Sequence, residues 1–312
     1  MKAVRATMGK RALRLAACAW LGASAALTAQ EIHFPLIQAL AWIPPQEDRV
    51  LPPGERSWEF SLTNANVFSF TPDFQAINDL SILAFGFSHR RALSAGLTLE
   101  IAGGFRGYYD GGIDELIKRV DAALGFSDSG RDVFPEKTIH YKYKDRFFHV
   151  RDQWAAAPLV VSLAARIRRF GAVDWNGRLG LGFPLDDRPG LAAKKPYLLA
   201  GLMAEYSRHR VSVSGAVHAV LFDRPHWLSA DDVRRHYFQA EMKATLSSWA
   251  LGVILRTSPL TFKENANTGR MMYIAFRFRN GIEIGLMEDL PPMDTVPDVA
   301  MFVKLDLHPG HK

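Results

Sequence analysis

The stretch RVSVSGAVHAVLF, at residues 210–222, alternates between two kinds of side chain. Every second residue from Val211 to Leu221 is apolar or glycine, whereas the positions between them include Ser214 and His218. Residues that alternate in this way lie on opposite faces of an extended chain. The stretch therefore predicts a β-strand with one apolar face and one polar face.

The same alternation recurs along most of the chain, and many segments continue it for roughly 10 to 12 residues. Strands of soluble sheets usually have about 5–6 residues, whereas a tilted strand that spans a bilayer needs about 9–11. Charged residues on the polar faces also suit a wet lumen better than a dry sandwich core. The predicted strands are 58–68, 79–88, 93–103, 158–169, 172–183, 196–207, 210–221, 235–247, 249–258, 270–279, 281–288 and 298–307.

The connections between these segments alternate between short and long. Outer-membrane barrels have short periplasmic turns and longer outer loops, which requires an even number of strands with both chain ends in the periplasm. The sequence thus predicts an all-β fold, an antiparallel up-and-down transmembrane β-barrel of 12 strands. The predicted short turns are His89 to Arg91, Phe170-Gly171, Arg208-His209, Ser248 and Asn280-Gly281.

The longest connection, residues 104–157, contains two further elements. Residues 138–149 alternate again and predict one more hairpin, either within the loop or in the wall, where it would raise the count to 14 strands. Apolar residues from Ile113 to Leu124 recur at helical spacing, and Asp110 is suited to the N-cap. We therefore expect one short amphipathic helix in this outer loop.

The first residues have the pattern of a secretory signal peptide, with five basic residues and no acidic one before an apolar run. Removing them lowers the formal charge from +6 to about +1, so the charge does not support a nucleic-acid partner. The apolar residues between Phe34 and Trp42 leave open a buried position for the segment that follows. The predicted divisions are 1–29 signal peptide, 30–56 periplasmic lead-in, 57–307 β-barrel and 308–312 C-terminal tail.

The composition excludes several classes of protein. Hydrophobic residues make up 48% of the 312 residues, which excludes a wholly disordered chain. The single cysteine, Cys18, excludes a disulfide scaffold and a cysteine zinc site. After the predicted signal, no apolar run reaches the roughly 18 residues of a spanning helix, which excludes a helical membrane protein.

Three stretches considered together resemble a known family. They are residues 103–135, with Gly130-Arg131-Asp132 near their end, residues 181–184 and residues 288–298. The arrangement is similar to a family of Gram-negative proteins known only as a domain of unknown function and regarded as outer-membrane barrels. The resemblance covers about residues 50–307. It implies the barrel fold and supplies no catalytic residues.

Candidate ligand-binding residues lie in the outer loop and on the polar faces of the strands. A polar residue in a lumen is more often a solvated side chain than a residue that binds a ligand. The candidates are therefore chosen for their predicted position in the lumen or the outer loop. The sequence has no nucleophile elbow and no HExxH motif, and we predict no catalytic residue, metal site or cofactor. The candidates are Arg131, Asp132, His218, Glu241, Lys243, Arg277 and Arg279.

Aromatic residues mostly fall near the ends of the predicted strands. Girdles of tryptophan and tyrosine at the two membrane interfaces explain such positions, and ordinary packing within a sheet is the alternative. The residues concerned are Trp42, Trp58, Trp154, Trp175, Trp227 and Trp249, with Tyr197, Tyr206, Tyr237 and Phe222.

These patterns predict an outer-membrane barrel that serves as a pore, a transporter or a structural protein of the envelope. Its expected partners are the outer-membrane lipids and, during biogenesis, the barrel assembly machinery; the sequence does not identify a small-molecule ligand. One alternative is a barrel enzyme acting on lipid or glycan, with His218 and Ser214 as the residues to test. The other is a soluble, secreted β-sandwich that binds a ligand.

Overall fold

The structure is a computed structural model that contains one continuous antiparallel sheet. Strand bounds, burial and contacts are described below for only part of the chain. The described residues are 43, 50–70, 76–109, 139–143, 146–147, 153–188, 194–225, 227–229, 231, 233–257, 259, 268–278, 280–289 and 299–307.

The sheet is built from long strands joined mostly in chain order. The strands are β1 (Arg56–Phe70), β2 (Ala76–Ser94), β3 (Leu97–Tyr109), β4 (His140–Tyr143), β5 (Arg146–Phe147), β6 (Gln153–Ala156), β7 (Leu159–Phe170), β8 (Val173–Phe183), β9 (Tyr197–Arg208), β10 (Val211–Phe222), β11 (His236–Leu246), β12 (Trp249–Thr257), β13 (Thr268–Arg277), β14 (Ile282–Asp289) and β15 (Val299–Leu307).

Twelve of these strands close into a ring. Each wall strand from β7 to β15 pairs with the next one, β15 pairs with β1, β1 with β2, β2 with β3 and β3 with β7. The seam between the two ends of the chain runs from Trp58 opposite Leu307 to Asn66 opposite Val299. A closed antiparallel barrel of 12 strands is therefore confirmed, and a sandwich of two sheets is excluded.

Among the 12 wall strands, the connections at one end of the barrel have two to four residues, and those at the other end have five or more. Two residues join β2 to β3, β7 to β8, β9 to β10 and β11 to β12. At three of these turns the first residue, Gly171, His209 or Ser247, has a positive φ. We call this end, where β1 begins and β15 finishes, the turn end, and the opposite end the loop end.

One predicted turn was wrong. His89 to Arg91 lie inside β2, which continues to Ser94, and the turn follows at residues 95–96. Arg90 is buried and stands opposite Glu100 across the sheet. A strand that has one face in an apolar core cannot continue through consecutive basic residues, so such a run usually indicates a turn. Here the inner face accepts charge, so the strand continues through the run.

The hairpin predicted at residues 138–149 lies outside the ring. Its strands β4 and β5 pair with each other, and β4 pairs with β2 beyond the point where β3 ends. The hairpin therefore extends β2 at the loop end and leaves the wall at 12 strands. The strand β6 pairs with the loop end of β3 and is followed by β7. The helix expected at Ile113 to Leu124 lies outside the described residues.

The outer face of the wall is apolar, whereas the outer face of a soluble barrel is polar. Along β10, the outward residues Val217 and Leu221 are more than half exposed, whereas the inward His218 is fully buried. Large apolar side chains are exposed on every wall strand, as at Leu62, Leu179 and Leu286. An apolar outer surface of this extent is typical of a wall that faces lipid. Within the described residues, no helix is long and apolar enough to cross a membrane.

The aromatic residues divide between the two faces. Trp58, Trp175 and Trp249 are exposed on the outside near the turn end, and Trp154 is exposed near the loop end, as girdles require. The prediction was wrong for four others, which are buried in an interior cluster because they lie at inward positions or in a loop. These are Trp227, Tyr197, Tyr237 and Phe222, while Trp42 lies outside the described residues.

If the outer surface of the wall faces lipid, a charge in the middle of a strand will be costly only in a bilayer. We expect Leu202→Arg, on the outward face of β9, to lower the free energy of unfolding from lipid vesicles by about 2–4 kcal/mol. Urea titration of the vesicle-inserted protein measures this. The matched control is Leu185→Arg, in the loop after β8, which should change little; equal effects at both sites would contradict a lipid-facing wall.

Candidate functional site

The interior of the barrel has two chemically different halves. Near the turn end, many inward residues are charged or hydroxylated, whereas near the loop end they are mostly apolar. We call the first set the charged belt. It comprises Glu59, Ser88, Arg90, Glu100, Ser162, Arg178, Glu241, Arg277, Glu283, Lys304 and Asp306.

The core of the charged belt is a buried ion pair between β3 and β8. A terminal nitrogen of Arg178 lies 2.8 Å from Oε2 of Glu100, and both side chains are almost completely buried. Arg178 Nε also donates a hydrogen bond to Ser162 Oγ at 2.9 Å. Ser88 Oγ donates to Glu100 Oε1 at 3.3 Å, which ties β2 into the same group. Four neighbouring wall strands are thus linked by polar contacts inside the barrel.

A second group of ion pairs lies across the seam. Lys304 Nζ on β15 is 2.6 Å from Oε2 of Glu59 on β1. On the other side of β15, a terminal nitrogen of Arg277 donates a hydrogen bond to Asp306 Oδ2, also at 2.6 Å. Buried charges require partners of this kind because the interior cannot solvate them as water does.

The third polar group lies on β10, β11 and β12, closer to the loop end. The Gln239 side chain donates a hydrogen bond to Glu241 Oε1, and Arg256 Nε donates to Gln239 Oε1 at 2.9 Å. His218 Nε2 lies 3.9 Å from Glu241 Oε1, which is beyond hydrogen-bond distance. Glycine at position 201 makes room for the imidazole, because a Cβ there would lie 2.6 Å from His218 Nδ1.

The loop half of the interior is apolar and densely packed. Two aromatic rings lie directly over glycines of the neighbouring strand, Tyr197 over Gly182 and Phe302 over Gly285, where no Cβ could fit. The Tyr273 ring meets the Phe302 ring edge to face, with 5.6 Å between centroids. The inward apolar residues of this half include Val67, Leu80, Ile82, Tyr108, Val160, Leu199, Val220, Met271 and Met287.

Residues from the segment before β1 also lie inside the barrel. The backbone N–H of Leu51 donates a hydrogen bond to Thr98 Oγ1 at 2.9 Å, and Leu51 is fully buried. Val50 packs in a cluster with inward residues of β7, β9 and β10, namely Ala164, Met203 and Ala216. Ile43 is fully buried and belongs to the apolar cluster of the loop half.

The structure brings some of the candidate residues together and separates others. His218 and Glu241 lie side by side within the wall, and Arg277 lies in the ion pairs near the seam. Lys243 is half-buried opposite Ser214. Arg131, Asp132 and Arg279 lie outside the described residues.

The central pair, Glu100 and Arg178, is not among the candidates predicted from the sequence. Each lies at an inward position of its strand, next to glycine or small residues on the same face. A charged residue that shares its face of the strand with glycines is the signal that would have identified each partner. On β8 this face carries Asn176, Arg178, Gly180 and Gly182. Two such charges were recognisable separately, but their pairing depends on the register of four strands.

Removing one partner of the buried pair should destabilise the protein, because the other charge is then left buried without a partner. We expect Arg178→Met to lower the free energy of unfolding by about 3–5 kcal/mol. In the double variant Glu100→Leu with Arg178→Met, neither charge is left buried without its partner, and much of the lost free energy of unfolding should be recovered. Urea unfolding of the purified protein measures both.

The matched control for this test is Arg169→Met, because Arg169 pairs with Asp174 at the exposed turn end, 3.6 Å away. An exposed pair contributes only about 0–1 kcal/mol. Equal losses for Arg178→Met and Arg169→Met, or no recovery in the double variant, would contradict the assigned role of the pair.

Comparison with known proteins gives structural likeness only. No protein-family model and no curated protein matches the chain. An outer membrane channel from Pseudomonas putida aligns with 85% of this chain and 99% of its own, at 12% identity and a TM-score of 0.51. The toluene transporter of Ralstonia pickettii covers 90% of this chain and 99% of its own, at 10% identity and a TM-score of 0.43. For outer membrane phospholipase A from Escherichia coli the coverage is 82% and 94%, the identity 8% and the TM-score 0.41. The likeness to the Pseudomonas channel, together with the closed ring of 12 strands, shows that the chain has the fold of Gram-negative outer membrane barrels.

Proposed function

We propose that the protein spans the Gram-negative outer membrane and acts as a selective transporter whose interior is closed at rest. The observation that carries this proposal is the burial of most of the charged belt inside a wall with an apolar outer surface. Glu100, Arg178 and Lys304 point into the barrel, yet each is less than a twentieth exposed. In an open pore, water would reach these side chains.

Both halves of the interior support a closed resting state. Ion pairs of the charged belt join strands that are adjacent or one strand apart, so their side chains extend across the inner face of the wall. Val50 and Leu51 lie against inward residues near the turn end, and Ile43 lies in the apolar cluster of the loop half. Passage of a solute requires these contacts to open, which favours a transporter over a general porin.

The geometry of His218 does not favour the alternative of an enzyme acting at the outer surface. The imidazole is fully buried in the wall, and neither of its nitrogens has a hydrogen-bond partner. A general base must lie within hydrogen-bond reach of the group that it deprotonates. Ser214 lies four residues along the same strand and faces Lys243 across the sheet.

The membrane location is tested by cell fractionation and by gel mobility. We expect the mature protein in the outer-membrane fraction, and we expect a faster band when the sample is not boiled, since a closed barrel stays compact in detergent. A protein recovered from the soluble periplasm with a single mobility would contradict the proposal.

The closed state is tested by conductance in planar bilayers. We expect rare, small openings for the unmodified protein and larger, longer openings after deletion of residues 30–51. Thr98→Val, which removes the acceptor for the Leu51 N–H, should raise the frequency of openings, whereas the matched control Thr98→Ser, which keeps a hydroxyl, should not. Wide and steady conductance by the unmodified protein would show an open pore instead.

A further inference from the structure

The outer surface of the barrel carries a groove at the loop end of β8, β9 and β10. Its volume is about 420 Å³, and its lining includes Leu181, Leu198 and Leu221. These three leucines, which we call the leucine row, stand opposite one another in register. They point away from the interior and are between two fifths and a little over half exposed. The groove therefore opens toward the surroundings of the barrel.

The groove continues down the wall as a shallow furrow. At the next outward level, Ala200 and Ala219 stand side by side between two larger exposed residues, Leu179 and Phe238. The two levels are about 7 Å apart, because neighbouring residues on one face of a strand are two positions apart along the chain. Small side chains flanked by large ones leave room for a chain of methylene groups along the strand direction.

The mouth of the groove carries two cations that share one carboxylate. Lys195 Nζ lies 2.7 Å from Asp223 Oδ2, and Arg235 Nη1 lies 3.9 Å from Asp223 Oδ1. The Lys195 ammonium holds the pKa of the Asp223 carboxyl below its usual range. Two cations and one carboxylate leave a net charge of one positive unit at the mouth. Both cations are more than three fifths exposed, so a ligand can reach them. Their sequence neighbours Lys194 and Arg234 are exposed as well.

A cationic mouth above an apolar furrow matches an amphiphile with an anionic head and an acyl chain. The groove lies at the end with the long loops, which face the outside in barrels of this kind. We propose that it binds a phosphorylated, acylated glycolipid of the outer leaflet, whose phosphate contacts the solvent-exposed sides of Lys195 and Arg235, away from Asp223, and whose acyl chain covers the leucine row. This inference rests on the membrane location proposed above.

The test measures binding of purified diphosphoryl lipid A to the mature protein in detergent micelles, by native mass spectrometry. We expect Lys195→Glu with Arg235→Glu to bind it at least roughly 30-fold more weakly, since each basic residue near an anionic surface contributes about 1 kcal/mol and the new carboxylates also repel the phosphate. The milder pair Lys195→Gln with Arg235→Gln should weaken binding in the same direction. It serves as the test if the charge reversal prevents folding.

The matched control is Arg208→Glu with Arg210→Glu, which changes two exposed arginines at the turn end and should leave binding unchanged. Inorganic phosphate should not compete, because it lacks the acyl chain, and phosphatidylglycerol should bind more weakly than the diphosphoryl lipid. Equal affinity for phosphatidylglycerol, or equal losses in the site and control variants, would overturn the proposal. Outer-membrane fractionation and a faster unboiled band in the same variants would show that only the lipid site, and not the membrane location, had failed.

Discussion

The closure of the sheet on itself is the constraint on which the rest of the structure depends. Hydrocarbon offers no hydrogen bonds to a backbone, so a strand can lie in a bilayer only when both of its edges are paired. Pairing of β1 with β15 satisfies the last two edges. In a bilayer the outward side chains of such a ring must be apolar, so the polar residues of each strand are directed inward by the alternation of the two faces. The charged interior follows from the chemistry of the exterior.

The interior meets a second requirement, because charges taken out of water must be paired. The pairs Glu100 with Arg178 and Glu59 with Lys304 each join two strands of the wall. These pairs cross-link the wall near the turn end, whereas rings packed over glycines fill the loop half. The barrel is therefore closed by its own side chains, and its permeability depends on how readily these contacts and those of Leu51 can separate.

The period-two pattern predicted most of the wall, because it directly reports which face of a strand is wet. Strand bounds agree with the structure to within a few residues, except for β2 and β3, because basic residues that belong to the interior were interpreted as the turn between them. The interior contacts were harder to predict. His218 and Glu241 were recognised as inward residues, but the pairing of Glu100 with Arg178 depends on which strands are neighbours after a loop of more than 40 residues. The burial of Trp227, which lies between β10 and β11 along the chain, likewise depends on packing against other strands.

The position of the seam has a consequence for the order of assembly. The two strands that complete the ring are separated by nearly the whole length of the chain, so their contact is the most non-local of the fold and carries the greatest loop-closure cost. Leu51 precedes β1 by only a few residues and is anchored to Thr98 on the inner wall. The chain before β1 can therefore be enclosed when the seam forms, instead of being threaded into a finished cylinder. Enclosure of this segment is then part of folding itself.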